Sequence, residues 1–170
     1  MRVIKVTSED MNNGPGLRVV LWVSGCEHHC DGCHNTFTWN SNSGKLTPSL
    51  ARLTVMDALK ESYIEGITYS GGDPLHPDNI EGIVELAEII HLLRPKKNQW
   101  LYTGYTFEQI KTAAVDNLLL KRLLKVIDVI CDGKFDKTLV NPNTKWVGSS
   151  NQRIIDVQKS LKEDKIILVC

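Results

Sequence analysis

Residues 19–33 read VVLWVSGCEHHCDGC, an apolar run that passes directly into three closely spaced cysteines. The run from Val19 to Ser24 has the near-continuous hydrophobicity of a strand that is buried on both faces, as strands of parallel sheets are. Cys26, Cys30 and Cys33 then follow the carboxyl end of that strand, which is the edge where parallel α/β sheets bind ligands. The stretch therefore predicts a buried strand that delivers a cysteine loop to a ligand-binding edge.

Strands and helices alternate on both sides of this stretch. Hydrophobic patterning predicts further strands at residues 1–7, 66–70, 100–103, 126–131, 153–157 and 165–169, and helices that begin near residues 48, 79, 107 and 117. Strands separated by helices imply right-handed crossovers and a mainly parallel sheet. A closed eight-stranded barrel takes about 250 residues. The 170 residues therefore predict an α/β fold with an open, partial (β/α) barrel, in a single domain over residues 1–170.

The overall composition excludes several classes of protein. Twenty Lys and Arg balance twenty Asp and Glu, so no basic field attracts nucleic acid. No apolar run approaches the roughly 20 residues that cross a bilayer, and residues 1–5 are too short and too charged for a secretory signal. Five cysteines, with three of them in eight residues, fit metal-binding thiolates in a reducing compartment. We therefore expect a cytoplasmic protein with neither a nucleic-acid nor a membrane partner.

Two kinds of metal site fit three cysteines on one tight loop. Three thiolates can hold three corners of an iron–sulfur cube and leave the fourth iron without a protein ligand. The alternative is a structural zinc ion with His28, His29 or His34 as its fourth ligand. Structural zinc sites more often draw their ligands from two separated pairs, and no second pair occurs here, which favours the cluster. His28 and His29 are then expected to face solvent or to pack on the cluster.

The cysteine spacing, three and then two residues between successive cysteines, resembles that of the radical S-adenosylmethionine superfamily. The resemblance implies that Cys26, Cys30 and Cys33 bind one [4Fe-4S] cluster, and that the amino and carboxyl groups of S-adenosylmethionine chelate its open iron. Downstream, Ser70-Gly71-Gly72-Asp73-Pro74 follows a predicted strand and resembles the superfamily's glycine-glycine-acid motif, in which Glu is the commoner acid. Glycine lets a ligand approach the backbone closely, so Gly71, Gly72 and Asp73 are implied to receive the methionyl ammonium group.

The same resemblance implies further residues of the S-adenosylmethionine site. Gly32 and Cys33 lie on the loop itself, and the backbone of His34 passes near the adenine or the cluster. Asp132 and Lys134 follow a predicted strand and correspond to an acid and a lysine that approach the cofactor's carboxylate in related activases.

Other stretches narrow the resemblance to one family. Residues 14–18, which read GPGLR, resemble the start of glycyl-radical-enzyme activases. The activating proteins of anaerobic ribonucleoside-triphosphate reductases are the family that four further stretches resemble: residues 33–35, 102–105, 132–135 and above all 148–153.

Membership of that family implies a definite reaction and definite partners. A reduced cluster gives one electron to S-adenosylmethionine, and the resulting 5′-deoxyadenosyl radical removes a hydrogen atom from a glycine near the C-terminus of the reductase. A flavodoxin-type protein is the expected electron donor. The alternatives are an activase of another glycyl radical enzyme such as pyruvate formate-lyase, a small-molecule radical enzyme, and a non-catalytic zinc-binding adaptor.

The remaining candidates have structural roles as their simplest interpretation. Cys131 ends an apolar run and is expected to be a small buried hydrophobe, whereas Cys170 receives no role. Arg18 and Arg153 are expected to form structural salt bridges. Two helical stripes are predicted to face the core: Leu50-Leu53-Met56 and Leu86-Ile90-Leu93.

Overall fold

The computed structural model describes residues 1–169, so Cys170 lies outside the described residues. The strands are β1 Val3–Asp10, β2 Leu17–Val23, β3 Ile64–Gly71, β4 Asn98–Tyr102, β5 Val129–Asp132 and β6 Arg153–Asp156. The α-helices are α1 Pro48–Ala58, α2 Ile80–Leu93, α3 Phe107–Ala113, α4 Leu118–Leu123 and α5 Val157–Glu163. Short 3-10 turns lie at Thr36–Thr38, Ser41–Ser43 and Lys137–Leu139.

The six strands form one sheet in the order in which they occur in the chain. Strands β2 to β5 are parallel to one another, whereas β1 and β6 are antiparallel to their neighbours at the two edges. The sheet is therefore mixed and not closed, and the prediction of a mainly parallel sheet was wrong.

Both antiparallel pairings follow from the connections. Strands β1 and β2 are joined by residues 11–16 only, and a parallel pair needs a crossover of a dozen or more residues. Residues 133–152, between β5 and β6, contain no α-helix and stay at the carboxyl edge of the sheet, where Lys137 pairs with Asp31 at 2.5 Å. The chain consequently enters β6 from that edge and runs antiparallel to β5.

The sheet separates two layers, because successive side chains of a strand point to opposite faces. On one face, Val19, Leu21 and Val23 of β2 pack with the buried sides of the helices in the main core. The other face carries a smaller cluster around Trp100 and Cys131, partly covered by the loop that precedes β6 and by residues near the end of the chain.

The helix faces in the core agree only in part with the predicted stripes. Leu86 and Ile90 of α2 are fully buried, as predicted, but Leu93 is exposed. Helix α1 is rotated relative to the prediction, since Leu50 and Leu53 are exposed and Met56 is the one residue of the stripe that packs, partly buried, against the core. Its buried positions, continued into the residue that follows it, are Ala51, Val55 and Leu59. Both stripes have helical spacing, and the smaller Ala–Val stripe is the one placed against the sheet.

Local signals set the helix ends well. Thr47 caps α1 with proline at the first helical position, and Thr106 forms a capping box with Gln109 at α3.

The predicted strand at residues 165–169 is reduced to one isolated bridge between Leu168 and Ile155. None of the helices between residues 1 and 169 is long and apolar enough to cross a bilayer.

Candidate active site

Three neighbouring strands end side by side at one edge of the sheet. Strands β2, β3 and β4 are parallel, and Val23 at the end of β2 lies in register with Gly71 at the end of β3. The residues that follow these ends are the cysteine loop (residues 26–33), the Gly71–Asp73 turn and the Thr103–Tyr105 segment. The sequence therefore folds its two principal motifs to the same edge, as predicted for parallel strands.

The cysteine loop is fixed at its start by main-chain hydrogen bonds. The Gly25 N–H donates to the Thr38 carbonyl at 2.7 Å, and the Cys26 N–H donates to the Trp39 carbonyl at 3.1 Å. Inside the loop, His29 and Gly32 have φ values of +47° and +76°, which turn the chain tightly between successive cysteines. The thiols of the loop are free and partly buried.

Backbone N–H groups point at the sulfurs of Cys26 and Cys33. Burial raises the pKa of the Cys26 thiol to about 11, and hydrogen bonds from the amides of His28 and His29 oppose that rise by stabilising the thiolate. The Asn35 N–H donates to Cys33 Sγ at 3.4 Å. Amides directed at cysteine sulfur also tune iron–sulfur clusters, so the loop carries donors suited to thiolate ligands.

The donor set fits a cube-shaped cluster. Between residues 1 and 169, no three Cys, His, Asp or Glu side chains form a group that could hold a metal ion. A [4Fe-4S] cube does not need such convergence, because each thiolate binds a different iron. The Trp39 Nε1 is buried without a hydrogen-bond partner in the described part of the chain, and its ring lies 4.7 Å from the His29 ring. A buried donor beside the cysteine loop suits an acceptor such as cluster sulfide.

The two glycines of the turn face the chain's own backbone. Gly71 has φ +106°, and a Cβ there would lie 2.6 Å from the Val23 carbonyl oxygen. A Cβ on Gly72 would lie 2.6 Å from the Gly25 carbonyl oxygen. Hydrogen bonds from the Gly72 N–H to Val23 and from the Asp73 N–H to Gly25, at 2.7 and 2.8 Å, hold this close approach. The turn is thus packed directly against the start of the cysteine loop.

The Asp73 carboxylate is buried at the centre of this edge. Its Oδ2 accepts from His28 Nε2 at 2.6 Å, from the Thr103 hydroxyl at 2.9 Å and from the Gly104 N–H at 3.1 Å. Its Oδ1 accepts from the Leu75 N–H at 2.8 Å. One carboxylate therefore links the cysteine loop to the ends of β3 and β4.

Comparison with known proteins gives a consistent result. Residues 12–155 match the family model described as a 4Fe-4S single cluster domain. The chain is 46% identical over 146 residues to the anaerobic ribonucleoside-triphosphate reductase-activating protein of Enterobacteria phage T4, which covers 85% of this chain and 87% of the relative. The protein of that name from Escherichia coli (strain K12) is 40% identical over 145 residues, 84% of this chain and 90% of the relative. The protein of that name from Haemophilus influenzae is 35% identical over 156 residues, which are 91% of this chain and 97% of the relative.

The chain belongs to this family of activating proteins. The matched residues of the chain include the cysteine loop, the Gly71–Asp73 turn and the Asp132–Lys134 segment. The motifs that gave the resemblance therefore lie inside the region shared with the family.

The remaining predicted site residues of the chain lie beside the cysteine loop and the Gly71–Asp73 turn. The Asp132 carboxylate is buried and accepts from Arg153 Nε at 3.0 Å and from the Phe107 N–H at 2.7 Å. The Lys134 side chain is exposed, and its carbonyl accepts from Asn151. Asp132 thus joins β5, β6 and the start of α3, and Arg153 forms the structural salt bridge that was expected of it.

Gly32 and His34 are exposed on the cysteine loop. A Cβ on Gly32 would lie 3.2 Å from the Lys137 Cβ and 3.5 Å from the Phe135 ring, so the loop after β5 flanks the cysteines directly. The Lys137 side chain pairs there with Asp31.

Arg18 differs from its expected role in this family member. The side chain is fully buried, and its donors reach the Thr68 hydroxyl and the Ile67 carbonyl, both at 2.9 Å, instead of a carboxylate. The guanidinium also lies 5.2 Å from the Trp100 ring. Burial lowers the pKa of Arg18 to about 10.

Sequence reasoning missed the link between His28 and Asp73 and the contribution of Thr103 and Gly104. The only signal in the sequence is that Thr103-Gly104 directly follows a strand, as Gly71-Gly72-Asp73 does. Neither stretch indicates which polar partner it meets.

Proposed function

We propose that this chain is the radical S-adenosylmethionine activase of an anaerobic ribonucleoside-triphosphate reductase. The observation that carries the proposal is a loop of three free cysteines at the carboxyl ends of parallel strands, in a chain 40–46% identical to activating proteins over most of its length. Bound at this edge, a reduced [4Fe-4S] cluster and S-adenosylmethionine would supply reductive cleavage of the cofactor and hydrogen-atom abstraction from a glycine of the reductase.

The proposal assigns the three cysteines Cys26, Cys30 and Cys33 as ligands of the cluster. The amides of His28 and His29 at the Cys26 sulfur, and the Asn35 N–H that donates to Cys33 Sγ at 3.4 Å, support this assignment because cluster-bound thiolates accept such hydrogen bonds. Trp39 Nε1 is an additional donor beside the loop.

The S-adenosylmethionine site is proposed to extend from the cysteine loop along the sheet edge. Gly32, Cys33 and His34 form its exposed side, and the Gly71–Gly72 backbone forms its floor at the end of β3. The exposed Lys134 is available to the cofactor's carboxylate, while Asp132 holds the neighbouring strand ends through Arg153. These roles follow from the resemblance and from the shared edge.

The open sheet is proposed to act as the partial barrel of a single domain over residues 1–170. Its edge strands β1 and β6 do not pair with each other, which leaves a side through which a loop of the reductase could reach the cysteine edge. The face with Trp100 and Tyr102 would line the interior and exclude water, since Tyr102 donates to the Trp146 carbonyl at 2.6 Å and the two tryptophan rings pack edge to face. A flavodoxin-type donor and a cytoplasmic place of action complete the proposal.

Metal content and spectroscopy test the proposal. The chain is reconstituted anaerobically with iron and sulfide, reduced, and examined by electron paramagnetic resonance with and without S-adenosylmethionine. We expect about four irons per chain, and a reduced-cluster signal that changes when the cofactor is added. Cys30→Ala should lose the intact cluster, whereas the control Cys131→Ala, which removes a buried free cysteine of β5 outside the cysteine loop, should keep it. One zinc and no sulfide in the folded chain would refute the proposal in favour of the adaptor.

Radical formation on the partner tests the substrate. The reduced chain and S-adenosylmethionine are incubated separately with anaerobic ribonucleotide reductase and with pyruvate formate-lyase. A glycyl radical signal on the reductase alone is the expected result. A signal on pyruvate formate-lyase alone would assign the chain to the alternative activase.

A further inference from the structure

The cysteine loop has one side-chain anchor in its middle that reaches the sheet. The main-chain bonds of Gly25 and Cys26 hold only its start. Between Cys26 and Cys30, the His28 ring turns inward, and its Nε2 lies 2.6 Å from Asp73 Oδ2. The side chains of His28 and Asp73 are 9% and 3% exposed, so water competes little for this bond.

The Asp73 carboxylate has little capacity left for another donor. A carboxylate offers about four lone-pair positions, and His28, Thr103, Gly104 and Leu75 already supply four donors. The Asp73 side chain is only 3% exposed, so a cofactor ammonium group would have to enter a buried position and compete with these donors to reach its oxygens.

The surroundings of His28 are shaped for its ring. A Cβ on Gly104 would lie 2.4 Å from His28 Cδ2, so only glycine leaves room for the imidazole at that position. The ring packs edge to face on Tyr105, with centroids 4.5 Å apart. The Thr103–Tyr105 segment therefore receives His28 in a fitted recess at the end of β4.

We propose that His28 and Asp73 are positioning residues: Asp73 acts through His28 to fix the middle of the cysteine loop to the ends of β3 and β4, and does not bind the cofactor's ammonium group. The inference rests on the proposed function for its cluster readout only. A carboxylate behind a histidine is an established way to orient metal-binding groups from outside the ligand shell. Here the histidine orients a ligand-bearing loop.

Amide hydrogen exchange in the cluster-free chain tests the anchor without any metal. The reporter is the Cys33 N–H, which donates to the Cys30 carbonyl at 3.1 Å inside the loop. His28→Ala removes a buried hydrogen bond to a charged group, so the reporter should exchange about 10-fold faster or more. His28→Gln keeps an N–H at about the position of Nε2 and should restore slow exchange.

Iron release tests the same anchor in the holoenzyme. Loss of an outer-shell partner typically costs about 10–100-fold in metal affinity, so His28→Ala should lose iron to a chelator faster by a factor in that range. Asp73→Asn should act in the same direction, because an amide has one acceptor oxygen where the carboxylate has two. The double variant should exceed the stronger single variant by no more than about twofold, since both changes break the same link.

Asp31→Asn is the matched control. Asp31 lies on the same loop and pairs with Lys137, but both side chains are more than half exposed. Neutralising it should leave both the exchange and iron release within about twofold of the unchanged chain. An equal effect of this control would mean that any loss of charge loosens the loop, and would overturn the proposal.

Binding of S-adenosylmethionine separates the two roles of Asp73. If Asp73→Asn weakens cofactor binding while His28→Ala does not, and exchange of the Cys33 amide is unchanged in both, Asp73 contacts the cofactor and the proposal is wrong. If the unchanged chain holds no cluster, the proposed function fails, and the exchange experiment still decides the anchor. Should His28→Ala not fold, the exchange comparison passes to Asp73→Asn against Asp31→Asn.

Discussion

Gly72→Ala tests whether the glycine turn positions the cysteine loop. The added Cβ would lie 2.6 Å from the Gly25 carbonyl oxygen and 3.1 Å from its carbonyl carbon. Ordinary contact begins at 3.4 Å, so the two segments must separate by about 0.8 Å, the difference between 3.4 and 2.6 Å. The contacted atoms of Gly25 belong to the backbone directly before Cys26, so no side-chain rotation can relieve the contact.

The cost follows from the hydrogen bonds that hold this approach. Separation lengthens the bonds from the Gly72 N–H to Val23 and from the Asp73 N–H to Gly25, now 2.7 and 2.8 Å. At roughly 0.5–1.5 kcal/mol for each bond, the free energy of unfolding should fall by about 2 kcal/mol. For a chain of this size that corresponds to a fall in Tm of roughly 4–8 °C.

The assay is thermal unfolding of the cluster-free chain, followed by iron content after reconstitution. Gly82→Ala is the control, because Gly82 lies inside α2 and its Cβ would lie 2.7 Å from Met1 Cβ, a contact remote from the cysteine loop. Helix propensity favours alanine by up to about 1 kcal/mol and opposes the cost of displacing Met1, so this variant should lose less Tm than Gly72→Ala and keep its full iron content. An unchanged Tm and full iron content for Gly72→Ala would refute the inference that the turn positions the loop.

Four further predictions concern other parts of the chain. Gly104→Ala should displace the His28 ring and release iron about as fast as His28→Ala, as measured by chelation; release at the parent rate would contradict the fitted recess. Burial raises the pKa of Cys131 to about 12, so this thiol should resist alkylation at pH 8 until the chain unfolds, as mapped by mass spectrometry; rapid alkylation of the native chain would contradict its burial. Arg153 lowers the pKa of Glu108 to about 2, so the pair's stabilisation is complete above about pH 4.5 and lost as the pH falls through 2. The free energy of unfolding of the parent chain should therefore exceed that of Glu108→Gln by less as the pH falls through that window. The difference should remain under about 1 kcal/mol because the Arg153–Glu108 pair is half exposed. A difference that grows on acidification would contradict this role of the pair. Finally, the cluster-free chain should retain a cooperative unfolding transition by circular dichroism, and its absence would contradict a loop held by protein contacts.

Local sequence signals predicted much of the secondary structure. The start of α3 at Phe107 agrees with its prediction, because Thr106 and Gln109 form a capping box whose partners are three residues apart. The cysteine loop follows a buried strand, as its apolar run predicted. In these places the deciding interactions lie within a few residues, so the pattern contains the information that determines the structure.

Local sequence signals could not predict the contacts between segments that are distant in the sequence. His28 and Asp73 are 45 residues apart, and neither motif indicates that its polar group is paired with the other. The glycine pair was interpreted as room for a ligand, and the structure places the backbone of the cysteine loop against it. Arg18 is similar, because neutral oxygens from a neighbouring strand satisfy it in place of the expected carboxylate.

These contacts bear on the order of folding and cluster assembly. A metal site whose ligands are unordered without metal must use binding energy to fold the chain, as small zinc domains do. Here the Gly25 and Cys26 amides, the Asp73 amide and the His28 side chain hold the cysteine loop through groups other than sulfur. The conformational entropy of the loop is therefore lost when the sheet forms, without a contribution from metal. If the loop binds the cluster as proposed, cluster binding is not required for the fold, and the energy of the iron–sulfur bonds remains available to hold the cluster at the strand edge.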